Sequence, residues 1–321
     1  MARVKWIPAV MLVAFLLPGC ARKATANAAD QQRAATVMLD HFETVFYANG
    51  DLLSGSSGYR GLSQQDANTL RAPFGYLLQG LDVLGKAASN EMLGSIGAAL
   101  VGAKDFRGPS GPPPHLGDVQ SQFCYVIVLR SQSTFDLGKV VSKSAAVSPA
   151  EASIWKWSAA GTEGHPEPHQ FYAMQVAGMY VLISNNLDDL HQVSATLSSN
   201  GHALNLSGIR DWDSISQHEV WGYRTYRHSQ GENKDAAGTV NVTPDAQALA
   251  FFFDAKQKAG VLRLFSPTAG TADKMNGTNL LSPFKATGSG AWETTIPLTG
   301  DQKSSDQMFV VMSWFGFGAY L

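Results

Sequence analysis

Apolar positions change their spacing along the chain, and each change predicts a different element. Ala34, Val37, Met38, Phe42, Val45 and Phe46 recur at helical spacing, which predicts a helix from Asp30 to about Ala48, stopped by Asn49-Gly50. A Gly- and Ser-rich loop follows at Leu53 to Gly61. Ser63 then opens a second helical stretch, with Asp66 at the capping-box position where Glu or Gln is usual. Pro73 breaks it, because proline has no N–H for the helical ladder. Phe74 to Ala87 keeps helical spacing through Gly75, Gly80 and Gly85. Met92 to Ala103 is uncharged and rich in small residues, which suits close helix packing or a strand at Ala98 to Phe106. It is too short to span a bilayer, which needs about 20 apolar residues.

Arg107 to Asp118 contains Gly108-Pro-Ser-Gly-Pro-Pro-Pro114, a run that joins elements and belongs to none. Beyond it the pattern changes to strands. Gln122 to Arg130 is an apolar strand, and Ser133 or Thr134 is expected to cap a helix to about Ala146. Ser153 to Ser158 alternates as a strand, and Phe171–Val176 with Met179–Ser184 forms a hairpin about Ala177-Gly178. Asn186 caps a helix with Leu187, Leu190, Val193 and Leu197 on one face. Further strands are expected at Val220–Arg227, Ala248–Ala255, Gly260–Ser266, Trp292–Leu298 and Met308–Phe317. The β-α-β-β-β-α order is near the split β-α-β unit of ferredoxin-like domains, with one strand too many. The expected class is α+β: a helical region over 30–106, a linker at 107–118, and a mainly antiparallel sheet domain over 119–321 with ferredoxin-like β-α-β-β elements.

The first residues carry an address. Arg3 and Lys5 precede a charge-free run from Trp6 to Leu17, the pattern of an export signal and too short for a spanning helix. The run ends in Leu17-Pro18-Gly19-Cys20, which resembles the bacterial lipobox, although Pro18 replaces the small or aliphatic residue usual there. The resemblance implies a lipoprotein signal peptide over 1–19 and a diacylglycerol thioether on Cys20, usually with a further acyl chain such as palmitate on its new amino group. Two or more chains are what stable anchoring requires. Residues 20–29 then form a tether, and Ala21, rather than Asp, resembles outer-membrane sorting. The expected location is the cell envelope, anchored in the outer membrane and facing the periplasm.

Composition narrows the partners. With 45% hydrophobic residues among 321, the chain can bury a large core. Its formal charge of −2 becomes −4 once Arg3 and Lys5 leave with the signal, so there is no basic footprint for nucleic acid. Acylation of Cys20 leaves Cys124 without an intramolecular disulfide partner, and its place in Phe123-Cys-Tyr-Val-Ile-Val128 reads as a buried, inert thiol.

Several motifs invite chemistry. Gly80-Leu-Asp-Val-Leu-Gly85-Lys86 matches a P-loop to the lysine, but Ala87 stands where Ser or Thr holds magnesium, and the stretch is helical. Ser153-Ile-Trp-Lys156 has the form used by penicillin-interacting enzymes, yet strand alternation puts Ser153 and Lys156 on opposite faces. Glu163, His165, Glu167 and His169 alternate, and in an extended strand they share one face at about 7 Å spacing. Such imidazoles and carboxylates would suit zinc, whereas a polyproline turn at Pro166 and Pro168 would scatter them into a solvated loop. Trp155 and Trp157 share a strand face, either as a glycan-stacking platform or, more commonly for large aromatics, as core. With no coherent catalytic set, the expected role is non-catalytic binding or structure, with an envelope protein or glycan as partner. The alternatives are an envelope metal-dependent hydrolase using Glu163–His169, and a glycan-binding module using Trp155 and Trp157.

Overall fold

The computed structural model describes residues 28–55, 58–104, 122–130, 135–161, 168–199, 209–226, 246–277, 281–288, 290–315 and 317. The helices are α1 (Ala28–His41), α2 (Gly50–Leu53), α3 (Gln64–Arg71), α4 (Gly75–Val83), α5 (Lys86–Ser95), α6 (Leu137–Val141), α7 (Leu187–Ser198), α8 (Trp212–Ile215), α9 (Gly270–Gly277) and α10 (Gln302–Trp314). The strands are β1 (Thr44–Asn49), β2 (Ile96–Lys104), β3 (Gln122–Leu129), β4 (Ser148–Glu151), β5 (Ile154–Ala159), β6 (His169–Val176), β7 (Tyr180–Ser184), β8 (Val220–Thr225), β9 (Ala248–Asp254), β10 (Ala259–Phe265), β11 (Lys285–Gly288) and β12 (Ala291–Pro297). They form one sheet in the order β11-β12-β10-β9-β8-β1-β2-β3-β7-β6-β5-β4. Every neighbouring pair is antiparallel. The class is α+β, with helices concentrated before β2, as the sequence pattern predicts.

Helices cover both faces of this sheet, and that cover explains the strand sequences. An antiparallel sheet with one wet face alternates apolar and polar residues. Here β1, β2, β3 and β9 are apolar at nearly every position, because alternate residues enter two separate cores. Along β1, Val45 and Tyr47 join the core under α1, α7 and α8, while Phe46 and Ala48 join the core under α2–α6, α9 and α10. The edges are short and interrupted. β4 carries Pro149 beside a register shift, and the exposed β11 begins at Lys285 and shifts between Ala286 and Gly288. Proline, charge and bulges at an edge discourage pairing with another chain.

The structure corrects several expected boundaries. The helix expected to Ala48 ends at His41, and Val45 and Phe46 belong to β1 instead. Their spacing continues that of α1, but burial on both sides selects the strand. Met92 to Ala103 divides between the end of α5 and the central strand β2. The 107–118 linker lies outside the described residues, yet β2 before it pairs with β3 after it from Ile96–Leu129 to Lys104–Gln122. The region expected to be helical therefore supplies two central strands of the common sheet. Ser133 and Thr134 lie outside the described residues, and Asp136 caps the shorter α6. The β-α-β-β order is present from β3 to β7, and it closes by antiparallel pairing of β3 with β7. The largest change is at Met308–Phe317, expected as a strand and found mostly in α10. Asp301 caps that helix, and Ser304, Met308, Val311 and Met312 face inward at helical spacing.

Phe46 is the hub of the second core. Its ring stacks on Phe251 at 5.9 Å and meets Phe74, Phe315 and Phe317 edge-on at 6.1–6.3 Å. Phe46 pairs across the sheet with Gly222, where a Cβ would stand 2.5 Å from the Phe46 ring. The glycine is thus the space the ring occupies. Gly222→Ala is expected to destabilise the fold by about 1–3 kcal/mol through overpacking. Urea unfolding checks this as a lower midpoint with an unchanged slope.

Candidate functional site

Helices α3 and α10 begin side by side on the same face of the sheet, and one carboxylate joins their first turns. Ser63 caps α3, its hydroxyl accepting from the Asp66 N–H at 3.1 Å. Asp66 is 2% exposed and does not reach back to the Ser63 N–H in the way a longer Glu would in a full capping box. It accepts the Ser63 hydroxyl at 2.8 Å on one oxygen and the Ser304 hydroxyl at 3.5 Å on the other. A carboxylate in the first turn of one helix and against the first turn of a second is favoured by both dipoles. Asp301 caps α10, accepting the Ser304 N–H at 2.8 Å. That N–H, with the Thr299 hydroxyl, holds the Asp301 carboxyl below its ordinary value. The Gln65 amide donates to the Ser305 hydroxyl and completes the join.

Beside this join lies an open groove of about 620 Å³. From α3 it takes Gln64, Gln65, Asn68 and Thr69, and from α10 Gln302, Ser305, Asp306 and Phe309. The carboxamides run in pairs one helical turn apart: Gln64 donates to Asn68 at 3.0 Å, and Gln302 donates to Asp306 at 2.7 Å. Phe309 is 47% exposed, the one exposed bulky apolar side chain among the described residues. Among the described residues, no lysine or arginine lines the groove. Its walls offer mixed donors and acceptors, one carboxylate and one ring.

The sequence-predicted site residues lie elsewhere. Trp157 is buried in the core, its indole N–H donating to the Gly80 carbonyl at 2.8 Å and its ring stacked on Phe171 at 5.6 Å. Trp155 is half-buried against the same core, beside Gly138 of α6. The pair is therefore not an exposed platform, because α4 and α6 cover that face of β5. Of the proposed metal ligands, Glu163, His165 and Glu167 lie outside the described residues. His169 starts β6 with its ring edge-on to Tyr76 at 4.9 Å. Ser153 occupies a left-handed position in the β4–β5 turn (φ 65°), and Lys156 is exposed on β5. Gly80 lies within α4, where a Cβ would come 2.6 Å from Phe171, so the P-loop-like stretch is helix packed on the sheet.

Cys124 is fully buried on the opposite face. Burial pushes its thiol well above the ordinary range, and the nearby Asp189 carboxylate adds to the shift, so it remains protonated and inert. Asp189, itself 4% exposed, is held in an ion pair by Lys104, whose ammonium also lies 5.1 Å from the Phe42 ring centre. The other Asp189 oxygen has no hydrogen-bond partner, so Lys104 is its principal compensation. The groove itself escapes the sequence pattern, because it depends on α10 being a helix. The signal available was Asp301 followed by inward positions at 304, 308, 311 and 312.

No protein-family model matches the chain, and no curated protein matches it. Among solved structures the chain is similar to three crystal forms of TP0453. Form I has a TM-score of 0.43 at 8% identity, over 87% of this chain and 97% of that one. Form III gives 0.41 at 9% identity over 87% and 97%, and form IV 0.41 at 8% over 87% and 95%.

Two substitutions test these polar groups. Asp66→Ala is expected to cost about 1–2 kcal/mol, since it leaves the Ser63 hydroxyl without its acceptor, while the Ser304 hydroxyl keeps the Asp301 carbonyl at 3.1 Å; chemical denaturation measures it. Lys104→Met leaves Asp189 buried without its countercharge and is expected to cost about 3 kcal/mol. The double variant Lys104→Met/Asp189→Asn should recover more than half of that loss in the same assay.

Proposed function

We propose that this chain is a lipid-anchored bacterial cell-envelope protein with a non-catalytic binding or structural role, held through Cys20 in the outer membrane and facing the periplasm. The observation that carries the reading is Leu17-Pro18-Gly19-Cys20 at the close of the uncharged run from Trp6. None of the helices among the described residues is long and apolar enough to cross a membrane, so attachment in this reading rests on lipid.

The geometry of the body supports an anchored binding role. The first described element, α1, starts at Ala28, so Ala28 and Ala29 of the tether expected over 20–29 belong to a helix. At roughly 3.5 Å per residue the rest of the tether reaches no more than about 28 Å, which keeps the body close to the bilayer. Helix α1 itself is bound to one particular face. Gln31 in the first turn of α1 accepts the Tyr47 hydroxyl at 3.1 Å, and Arg33 donates to the Leu197 and Ser199 carbonyls at 2.6 and 2.7 Å. These bonds fix α1 on the α7 face of the sheet. The α3–α10 groove belongs to the other face.

Mass spectrometry of the mature N-terminus tests the anchor: Cys20 carrying a diacylglycerol is the expected result, and an unacylated terminus at any other residue overturns it. Cys20→Ser is expected to move the protein out of the membrane fraction.

A further inference from the structure

We infer that the α3–α10 groove is a saccharide site, and that its ligand is a neutral, N-acetylated sugar chain. The inference deepens the binding role proposed above and rests on it, but it does not depend on the lipid. Three features of the groove select this chemistry.

The first is charge. A phosphate or carboxylate ligand calls for Arg, Lys or a free helix N-terminus. Among the described residues the groove is lined by no cationic side chain, and the N-termini of α3 and α10 are already taken by Ser63 and Asp301. A metal would need more than Asp306, which already accepts from Gln302.

The second is the donor set. Each carboxamide offers two N–H donors and a carbonyl acceptor in one plane. Gln65, Asn68 and Gln302 bring such groups from both walls; each holds one partner there, Ser305, Gln64 and Asp306 respectively, and has further amide positions for a ligand. Sugar hydroxyls donate and accept in the same alternating way, and an N-acetyl group repeats the amide geometry of the wall.

The third is the ring. Phe309 stands 47% exposed at a groove that is otherwise polar. Its neighbours Met308, Val311 and Met312 are buried, so the fold had an inward side for apolar residues of α10 and Phe309 is not on it. A peptide anchored by an apolar side chain would need an apolar pocket, and a single ring does not make one. The C–H face of a pyranose needs only one flat surface, with polar groups around its rim.

The test is isothermal titration of the full-length protein in a non-glycosidic detergent with tri-N-acetylchitotriose, alongside maltotriose and a neutral tetrapeptide. Saturable binding of the N-acetylated trimer, weaker for maltotriose and absent for the peptide, is the expected result. Phe309→Ala and Gln302→Ala should each weaken it about three- to tenfold, as the loss of one ring contact or one hydrogen-bonding group does. Phe309 is at the surface, so an unchanged unfolding midpoint shows that Phe309→Ala keeps the fold. No saturable binding of the trimer overturns the proposal. So does binding that both variants leave unchanged, or binding of the peptide in preference. The state of the N-terminus is read separately by mass, so failure here is distinct from failure of the anchor.

Discussion

The ring of Phe46 lies over Gly222 and brings distant parts of the chain to one point. It touches Phe74 from the start of the helical cover, Phe251 from β9, and Phe315 and Phe317 from the end of the chain. Aromatic pairs of this kind contribute about 0.5–1.5 kcal/mol each beyond the area they bury. Their larger effect is geometric. Because the hub stands on β1, the strand must be central, with β8 on one side and β2 on the other. The same arrangement recurs at Gly80 under Phe171, Gly102 under Phe42 and Gly260 under Phe251. In each case a missing Cβ is the room that a ring takes. The central strands of the twelve-stranded sheet stay buried on both faces because large and absent side chains are matched across them.

Double-sided cover also separates two sets of polar groups. The core on one side holds α1 and α7, together with the sealed Cys124 and the Lys104–Asp189 pair. The core on the other side supports α3 and α10, whose outward residues form the groove. Asp66 and the Gln65–Ser305 bond join the two helix starts that carry the walls of the groove. A site built on two packed helices is more rigid than one on loops. Its polar lining then depends on the sheet only through what lies beneath it.

What the sequence disclosed follows from how local the determining physics is. Helix α7 is legible because Asn186 caps it and Leu190, Val193 and Leu197 keep one face. The β6–β7 hairpin is legible because Ala177-Gly178 takes the two left-handed positions its turn needs, at φ 51° and 68°. The β1 strand was hidden, since Val45 and Phe46 prolong the spacing of α1 and only burial on two faces separates them. The α10 helix was hidden for the opposite reason: Met308 to Trp314 is rich in aromatic and β-branched residues, and the tertiary contacts of Met308, Val311 and Met312 overrule that local preference. The groove could not be read at all. Gln65 and Ser305 meet across 240 positions, and exposed amides leave no periodic trace in a sequence. Trp155 and Trp157 illustrate the converse, for their shared face was evident while its direction, toward the core, was set by α4 and α6.

The central claim is that the residues before the Pro- and Gly-rich stretch and those after it fold as one sheet. Native-state hydrogen exchange measures this directly. The amides of β1 and β2 should open with the same free energy as those of β3 and β8, within about 1 kcal/mol, because all four take part in a single cooperative unfolding. Exchange of β1 and β2 as a separate unit at markedly lower free energy than β3 and β8 would contradict it.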